Sequence, residues 1–396
     1  MFKFLIDLKN KDNLFLALVI LTLCHHTIFI YPVALIKHFS VIGEFILPVL
    51  YIYLIASSCF IGRRTKWVRT SDFAFCLVLV FVIVINLAVY VDNYEYLLAG
   101  IGDEIWKCVP FFFLGLMITI NEETDDTISK WCCLGVALTA LYELRFNSSS
   151  VVKDVGYSMV ASYNLLLNGV IVVNYAVRTK KLIPIVCGFI ALAYELLMGT
   201  RGPVVILLAS LVVSVLIHTK GKWRYFVVVL AVMMYVFIQS SAFMEMQYGL
   251  RSASESAGFS TRVFDWFLND DMIEQTSGRS DIYEDLWGRL KEHPVSGYGL
   301  YGEWKYGYRS AHNMYLEVLF HWGWIIGVSL LLGYVYVIVK AFKSTSNRVL
   351  LGWLGTWSCF VFVRGVFGGQ YLTFYVFFLL GLSLQIFRSN KYKLNI

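Results

Sequence analysis

Long apolar runs alternate along the chain with short polar or basic breaks. A span needs roughly 20 mostly apolar residues to cross the hydrocarbon. On that measure the pattern predicts spans near residues 13–32, 41–61, 73–91, 98–120, 130–146, 155–177, 182–199, 203–218, 223–241, 311–340, 349–366 and 370–388. Twelve apolar helices of this kind make the expected fold an all-α polytopic integral membrane protein.

One break is long. Residues 242–310 separate the ninth span from the tenth, so the chain divides into residues 1–241 with nine spans, the loop 242–310, and residues 311–396 with three spans and a C-terminal tail. A connection of that length is usually functional or disordered, and its pattern favours structure. In "SGRSDIYEDLWGRLKEHP", Ser280 is suited to an N-cap, Ile282, Leu286 and Leu290 share one face, and Pro294 is a stop. This predicts an amphipathic helix lying on the membrane surface or the top of the bundle. Before it, Phe264, Trp266 and Phe267 form an interfacial aromatic cluster; after it, Pro294, Gly297, Gly299 and Gly302 mark a turn-rich segment.

Composition agrees with the pattern: 58% of residues are hydrophobic and 15% are charged, against about 25% charged in a soluble domain. Basic residues sit in every second connection: Lys3, Lys9 and Lys11; Arg63, Arg64, Lys66 and Arg69; Arg178, Lys180 and Lys181; Lys220, Lys222 and Arg224; Lys340, Lys343 and Arg348; Arg388, Lys391 and Lys393. The positive-inside rule then predicts both termini in the cytoplasm and the long loop on the opposite face. The acidic stretch "NEETDDTISK" from Asn121 breaks the alternation, but acids carry little weight in that rule. These loops account for the net charge of +6, and nothing resembles a nucleic-acid footprint. The first apolar run lacks a small-residue cleavage site and reads as a retained helix. The eight cysteines lie in or beside spans without metal or disulfide spacing.

Ionisable residues inside spans are costly and are functional candidates. Glu44, Asp103, Glu104, Lys107, Glu143, Arg145, Glu195, Arg201, Glu317 and Arg364 all fall toward the non-cytoplasmic ends. His25, His26 and Asn86 are the nearest exceptions. An ion-coupled transporter is expected to carry its carboxylates near the midplane, so the distribution points instead to chemistry at the outer leaflet, on a molecule whose tail lies between helices. Glu195 and Glu317 are also read as partners for nearby arginines.

Three positions stand out. Arg201 in "MGTRGPVV" is framed by Gly199, Gly202 and Pro203; Arg279 sits just before the amphipathic helix; His312 opens the tenth span. Guanidinium groups near helix N-termini suit a diphosphate. Each residue also has a plainer reading: arginines at helix ends commonly snorkel, as does Arg364 on that view, and a lone histidine is commonly structural.

The set "GTRGPVVILL", "GRSDIYEDLWGRLKEHPVSGYGL" and "AHNMYLEVLFHWGWIIGVSLLL" resembles the Wzy-type O-antigen and capsular polysaccharide polymerases, which share a signature with O-antigen ligases. The resemblance is most specific over 278–327, with a second patch around Arg201. It implies a GT-C-like glycosyltransferase of the bacterial inner membrane that takes an undecaprenyl-diphosphate-linked oligosaccharide on its outer face and needs no metal or other cofactor. Carried over by position, His312 is the implied catalytic base, and Arg201 and Arg279 are the implied diphosphate ligands. Asn313, Tyr298, Tyr315 and Arg364 are further candidates for substrate contact, and a chain-length regulator protein is a possible partner besides membrane lipids. The alternatives are an O-antigen ligase, which differs in acceptor, and a lipid-linked oligosaccharide flippase, for which deep cationic residues and internal repeats are expected.

Overall fold

The computed structural model describes residues 70–146, 159–197, 201–221, 241–256 and 279–393, with residues 233, 261, 264, 265 and 268 between them. The spans expected at 13–32 and 41–61, most of that at 223–241, His25, His26, Trp266, Phe267 and the side chain of Arg201 lie outside the described residues.

Among the described residues every regular element is helical. In chain order these are α1 (Thr70–Val89), α2 (Tyr94–Gly100), α3 (Trp106–Met117), α4 (Glu122–Phe146), α5 (Met159–Thr179), α6 (Leu182–Leu197) and α7 (Arg201–His218). After them come α8 (Ser241–Ser256), α9 (Arg279–Leu290), α10 (Met314–Ser344), α11 (Arg348–Phe367) and α12 (Phe374–Lys393). Two of them, α10 and α11, are long and apolar enough to cross a membrane, and α1 with α2 makes a third if counted across the 111° bend between them. Large apolar side chains face outward along α1, α6 and α10, including Leu77, Phe81, Phe189, Ile325 and Leu332. Such broad apolar faces suit lipid and not water.

Helices in lipid associate through close backbone packing at small residues. Gly115 of α3 and Gly381 of α12 are reciprocal examples. A Cβ on Gly115 would lie 2.3 Å from the Phe378 carbonyl oxygen, and one on Gly381 would lie 2.1 Å from that of Phe112. The run expected as one span at 98–120 is instead α2, a π-helical turn (Ile101–Ile105) and α3. The polar Gly-Asp-Glu triplet falls in that turn.

One end of the bundle explains the acidic stretch. Asp125, fully buried in the first turn of α4, pairs with Arg178 at 2.6 Å and accepts from Trp353 Nε1 at 2.7 Å. Asp126 meets Lys181 at 3.2 Å, and Arg348 Nη1 donates to the His218 carbonyl at 3.0 Å. The acids at 121–130 thus neutralise the neighbouring basic loops, so these connections share one end.

The opposite end is organised by a kink. Within α10, Gly323 adopts φ 68°, ψ −179°, which breaks the helical ladder and frees the carbonyls of the preceding turn. The turn-rich segment takes them: Tyr298 N–H donates to Phe320 O at 2.8 Å, Gly299 N–H to His321 O at 3.0 Å, and Trp324 N–H to Pro294 O at 2.7 Å. Gly297 and Gly299 have φ of 66° and 78°, and a Cβ on Gly297 would lie 2.6 Å from Phe320 O. From the other side, Asn86 Oδ1 accepts from Leu300 N–H at 2.7 Å, and Asn93 Nδ2 donates to Tyr298 O at 2.7 Å. Asn86, an exception in the apolar pattern, is therefore a clasp. Replacing it by leucine leaves a buried N–H without its acceptor and is expected to cost about 1–3 kcal/mol, read as a lowered thermal unfolding midpoint.

Candidate functional site

The amphipathic helix α9 begins at Arg279, so Ser280 lies inside it and not at the N-cap. Its apolar face behaves as the pattern predicts: Leu286 and Leu290 are buried against Leu316, Leu319 and Phe320 of the first part of α10, with Ile282 and Tyr283 packed alongside. This docking brings the start of α9 to the start of α10 and the end of α11.

Helix ends leave backbone groups without intrahelical partners. Phe367 ends α11, and its carbonyl accepts from Arg279 Nη1 at 2.8 Å. Gly368 follows at φ 138°, where a Cβ would lie 3.8 Å from Tyr163 Oη and 4.0 Å from Arg279 Nη1. The N-terminus of α7 arrives at the same place, because a Cβ on Gly202 would lie 3.0 Å from Tyr163 Oη and 3.2 Å from Phe367 Cβ. Arg201 is thus next to the point where α7 meets Tyr163 and Phe367. Arg364, one turn before the end of α11, lies between the rings of Tyr163 at 4.2 Å and Tyr375 at 4.3 Å. Its Nε is buried with no hydrogen-bond partner among the described residues. That is the environment of a cation held by aromatic faces and not of one reaching for the membrane surface.

His312 precedes α10 in the left-handed region at φ 52°. Its backbone is fixed on both sides: the N–H donates to Ser310 Oγ at 3.0 Å, and the carbonyl accepts from Tyr283 Oη at 3.1 Å. Burial, and then the Arg279 charge, hold its pKa below the usual histidine value of 6.5. The imidazole is therefore neutral near pH 7, able to accept a proton, and close enough to Arg279 to feel its charge. Asn313 is the N-cap of α10, its Oδ1 accepting from Tyr315 and Leu316 N–H at 3.0 and 3.1 Å.

The structure brings His312, Arg279, Arg364 and the backbone of Arg201 to one locus, with Tyr163 and Tyr283, which the sequence pattern did not single out. Tyr283 lies one turn after Arg279, a helical spacing that was legible. Tyr298 is elsewhere, stacked on Phe320 at 4.6 Å and donating to Arg289 O at 3.1 Å. Tyr315 donates to Phe362 O at 3.0 Å and ties α10 to α11.

An apolar groove of about 480 Å³ lies between α1, α10 and α12. Met314, Tyr371, Val82, Val318, Ile326 and Phe377 are among the residues that line it, and Met314 follows His312 by two positions in the chain. Further along α10, Glu317 lies with His321 and Glu303.

The family described as O-antigen ligase matches residues 186–332, a stretch that includes Arg201, Arg279, His312 and Gly323. No curated protein and no solved structure matches the chain.

Proposed function

Starting from the O-antigen ligase/polymerase superfamily, which the match over residues 186–332 supports, we propose that this protein is a polysaccharide polymerase of a bacterial inner membrane. Enzymes of that superfamily are glycosyltransferase-like and act on lipid-linked glycans. On our reading the protein moves a growing glycan from undecaprenyl diphosphate to the non-reducing-end sugar of a lipid-linked repeat unit. The observation that carries the reading is the shared locus: a neutral, backbone-fixed His312 beside the Arg279 guanidinium, two residues before Met314, which lines an apolar groove.

In the proposed reaction His312 takes the proton of the acceptor hydroxyl, as a histidine tuned near or below neutrality can. The oxygen attacks the anomeric carbon, the bond from that carbon to the diphosphate oxygen breaks, and the configuration inverts. The charge that develops on the departing diphosphate falls to Arg279 and Arg201, with Arg364 behind them; fixed guanidinium groups supply that stabilisation in the transition state. The groove receives the isoprenoid chain, which keeps the diphosphate at the membrane edge. Asn313, Tyr315 and Tyr298 serve by fixing the scaffold, because their side chains already bond within the protein.

Arginine matters here for its fork. Lysine keeps the charge but cannot cap Phe367 O and present a planar pair of donors together. Arg279→Lys is therefore expected to lower transfer by about tenfold or more, the equivalent of one charge-assisted hydrogen bond, measured as initial rate at matched protein. Wild-type activity in that variant would remove the diphosphate role.

The reading itself is tested with purified protein in nanodiscs and a defined undecaprenyl-diphosphate repeat unit as the only glycan. A ladder of multiples on a gel is expected. Transfer that requires an added lipid A core acceptor would make the protein a ligase, and absence of both would return the question to transport.

A further inference from the structure

Toward the end of the bundle that carries the basic loops, a second apolar groove of about 290 Å³ lies between α5, α6 and α7. Val173, Ala176, Phe189, Leu207 and Leu211 are among the residues that line it, and Lys180 is the one lining residue with a polar side chain. Phe189 and Leu211 are 69% and 39% exposed, so the groove belongs to the outer surface of the bundle and not to its core. From Val173 to Lys180 it follows α5 for about 10 Å, at 1.5 Å of rise per residue.

The three cations of the connection between α5 and α6 differ in how they are balanced. Arg178 pairs with Asp125 at 2.6 Å and Lys181 with Asp126 at 3.2 Å. Lys180 has no ion pair among the described residues. Its backbone is also unusual for a lysine: φ is 56°, and the N–H donates to Ala176 O at 2.8 Å, closing the last turn of α5. A left-handed cap of this kind favours glycine or asparagine. Lysine there is strained, so capping alone does not account for it.

Apolar walls two turns long that end at an unbalanced cation match a molecule with a hydrocarbon chain and an anionic head. We propose that the groove holds one acyl chain of an anionic phospholipid whose phosphate pairs with Lys180. A further apolar helix in the same place would cover the ammonium without balancing it, which is costly in lipid. A zwitterionic lipid would bring an ammonium of its own to Lys180. The site lies at the opposite end of α5 from Tyr163 and the His312 locus, so it does not depend on the transfer reading.

The test uses the full chain, purified in mild detergent and stripped of lipid. Phosphatidylglycerol or phosphatidylethanolamine with the same acyl chains is titrated in, and native mass spectrometry counts the lipid bound. Phosphatidylglycerol is expected to bind about fivefold more tightly, the effect of one cation at a membrane surface. Lys180→Asn should abolish that preference and leave the unfolding midpoint unchanged or higher, because asparagine suits a φ of 56°. Leu211→Trp, at a half-exposed lining position, should weaken both lipids by filling the groove. Phosphatidylglycerol with a diazirine on its acyl chain locates the site without any variant, and labelled peptides are expected from residues 173–192 and 207–211. Equal binding of the two headgroups, a preference retained in Lys180→Asn, or labelling spread evenly over the outward faces of the bundle would overturn the proposal.

Discussion

Exchanging His312 for asparagine is expected to slow glycan transfer by about 10²–10⁴-fold, the usual contribution of a general base, while leaving the fold at least as stable as it was. The two halves of that expectation have separate causes. Residue 312 sits at φ 52°, a region that asparagine tolerates better than most side chains. The bonds that hold it, to Ser310 Oγ and Tyr283 Oη, use its backbone and survive the exchange. Asparagine, however, cannot take a proton near neutral pH. Thermal unfolding and initial transfer rates on the same preparations check both halves. A variant that transfers at the wild-type rate would end the base assignment.

Gly323→Ala is expected to be the most damaging single change to the fold, at about 3 kcal/mol or more. The conformation at φ 68°, ψ −179° is essentially closed to residues with a Cβ. The added carbon would also lie 2.3 Å from Val295 O and 2.7 Å from Pro294 O. Relief by straightening the helix would return the Phe320 and His321 carbonyls to the ladder and expel the 294–300 segment from its place. Gly333 on the same helix is the control: nothing lies within 4 Å of its Cβ position, so Gly333→Ala is expected to gain up to about 1 kcal/mol from helix propensity. The yield of monodisperse protein and the unfolding midpoint separate the two. Equal behaviour of both variants would mean that the kink is not needed.

Among the described residues the apolar runs are helical, because a run of that length has few alternatives in lipid. It also carried the buried face of α9, since i, i+4 spacing is local. The kink was not legible. The stretch 311–340 reads as one apolar run, glycine is common in membrane helices, and what bends this one is a segment earlier in the chain that competes for its carbonyls. Long-range polar pairs were hidden for the same reason. Asp125 looked like an exception to the charge pattern until Arg178 and Trp353 closed on it. The neighbourhood of Glu317 with His321 and Glu303 was hidden likewise, because residue 303 comes from the long loop. Of the candidate site, the residue types at 201, 279 and 312 were readable, but the meeting of the N-terminal parts of α7 and α9 with the end of α11 at Phe367 was not.

If His312 and Arg279 form one site for a lipid diphosphate, the ionisation of His312 reports on the bound lipid directly. With carbon-13 in the seven histidine rings, the His312 signal is assigned by its loss in His312→Asn and followed through a pH titration. In the free protein it is expected to titrate below pH 6.5, held down by burial and by Arg279. Undecaprenyl diphosphate should raise that pKa, because an anion beside the imidazole favours its charged form and offsets the guanidinium; undecaprenol, without the phosphates, should not. A His312 signal indifferent to saturating lipid diphosphate would contradict the shared site.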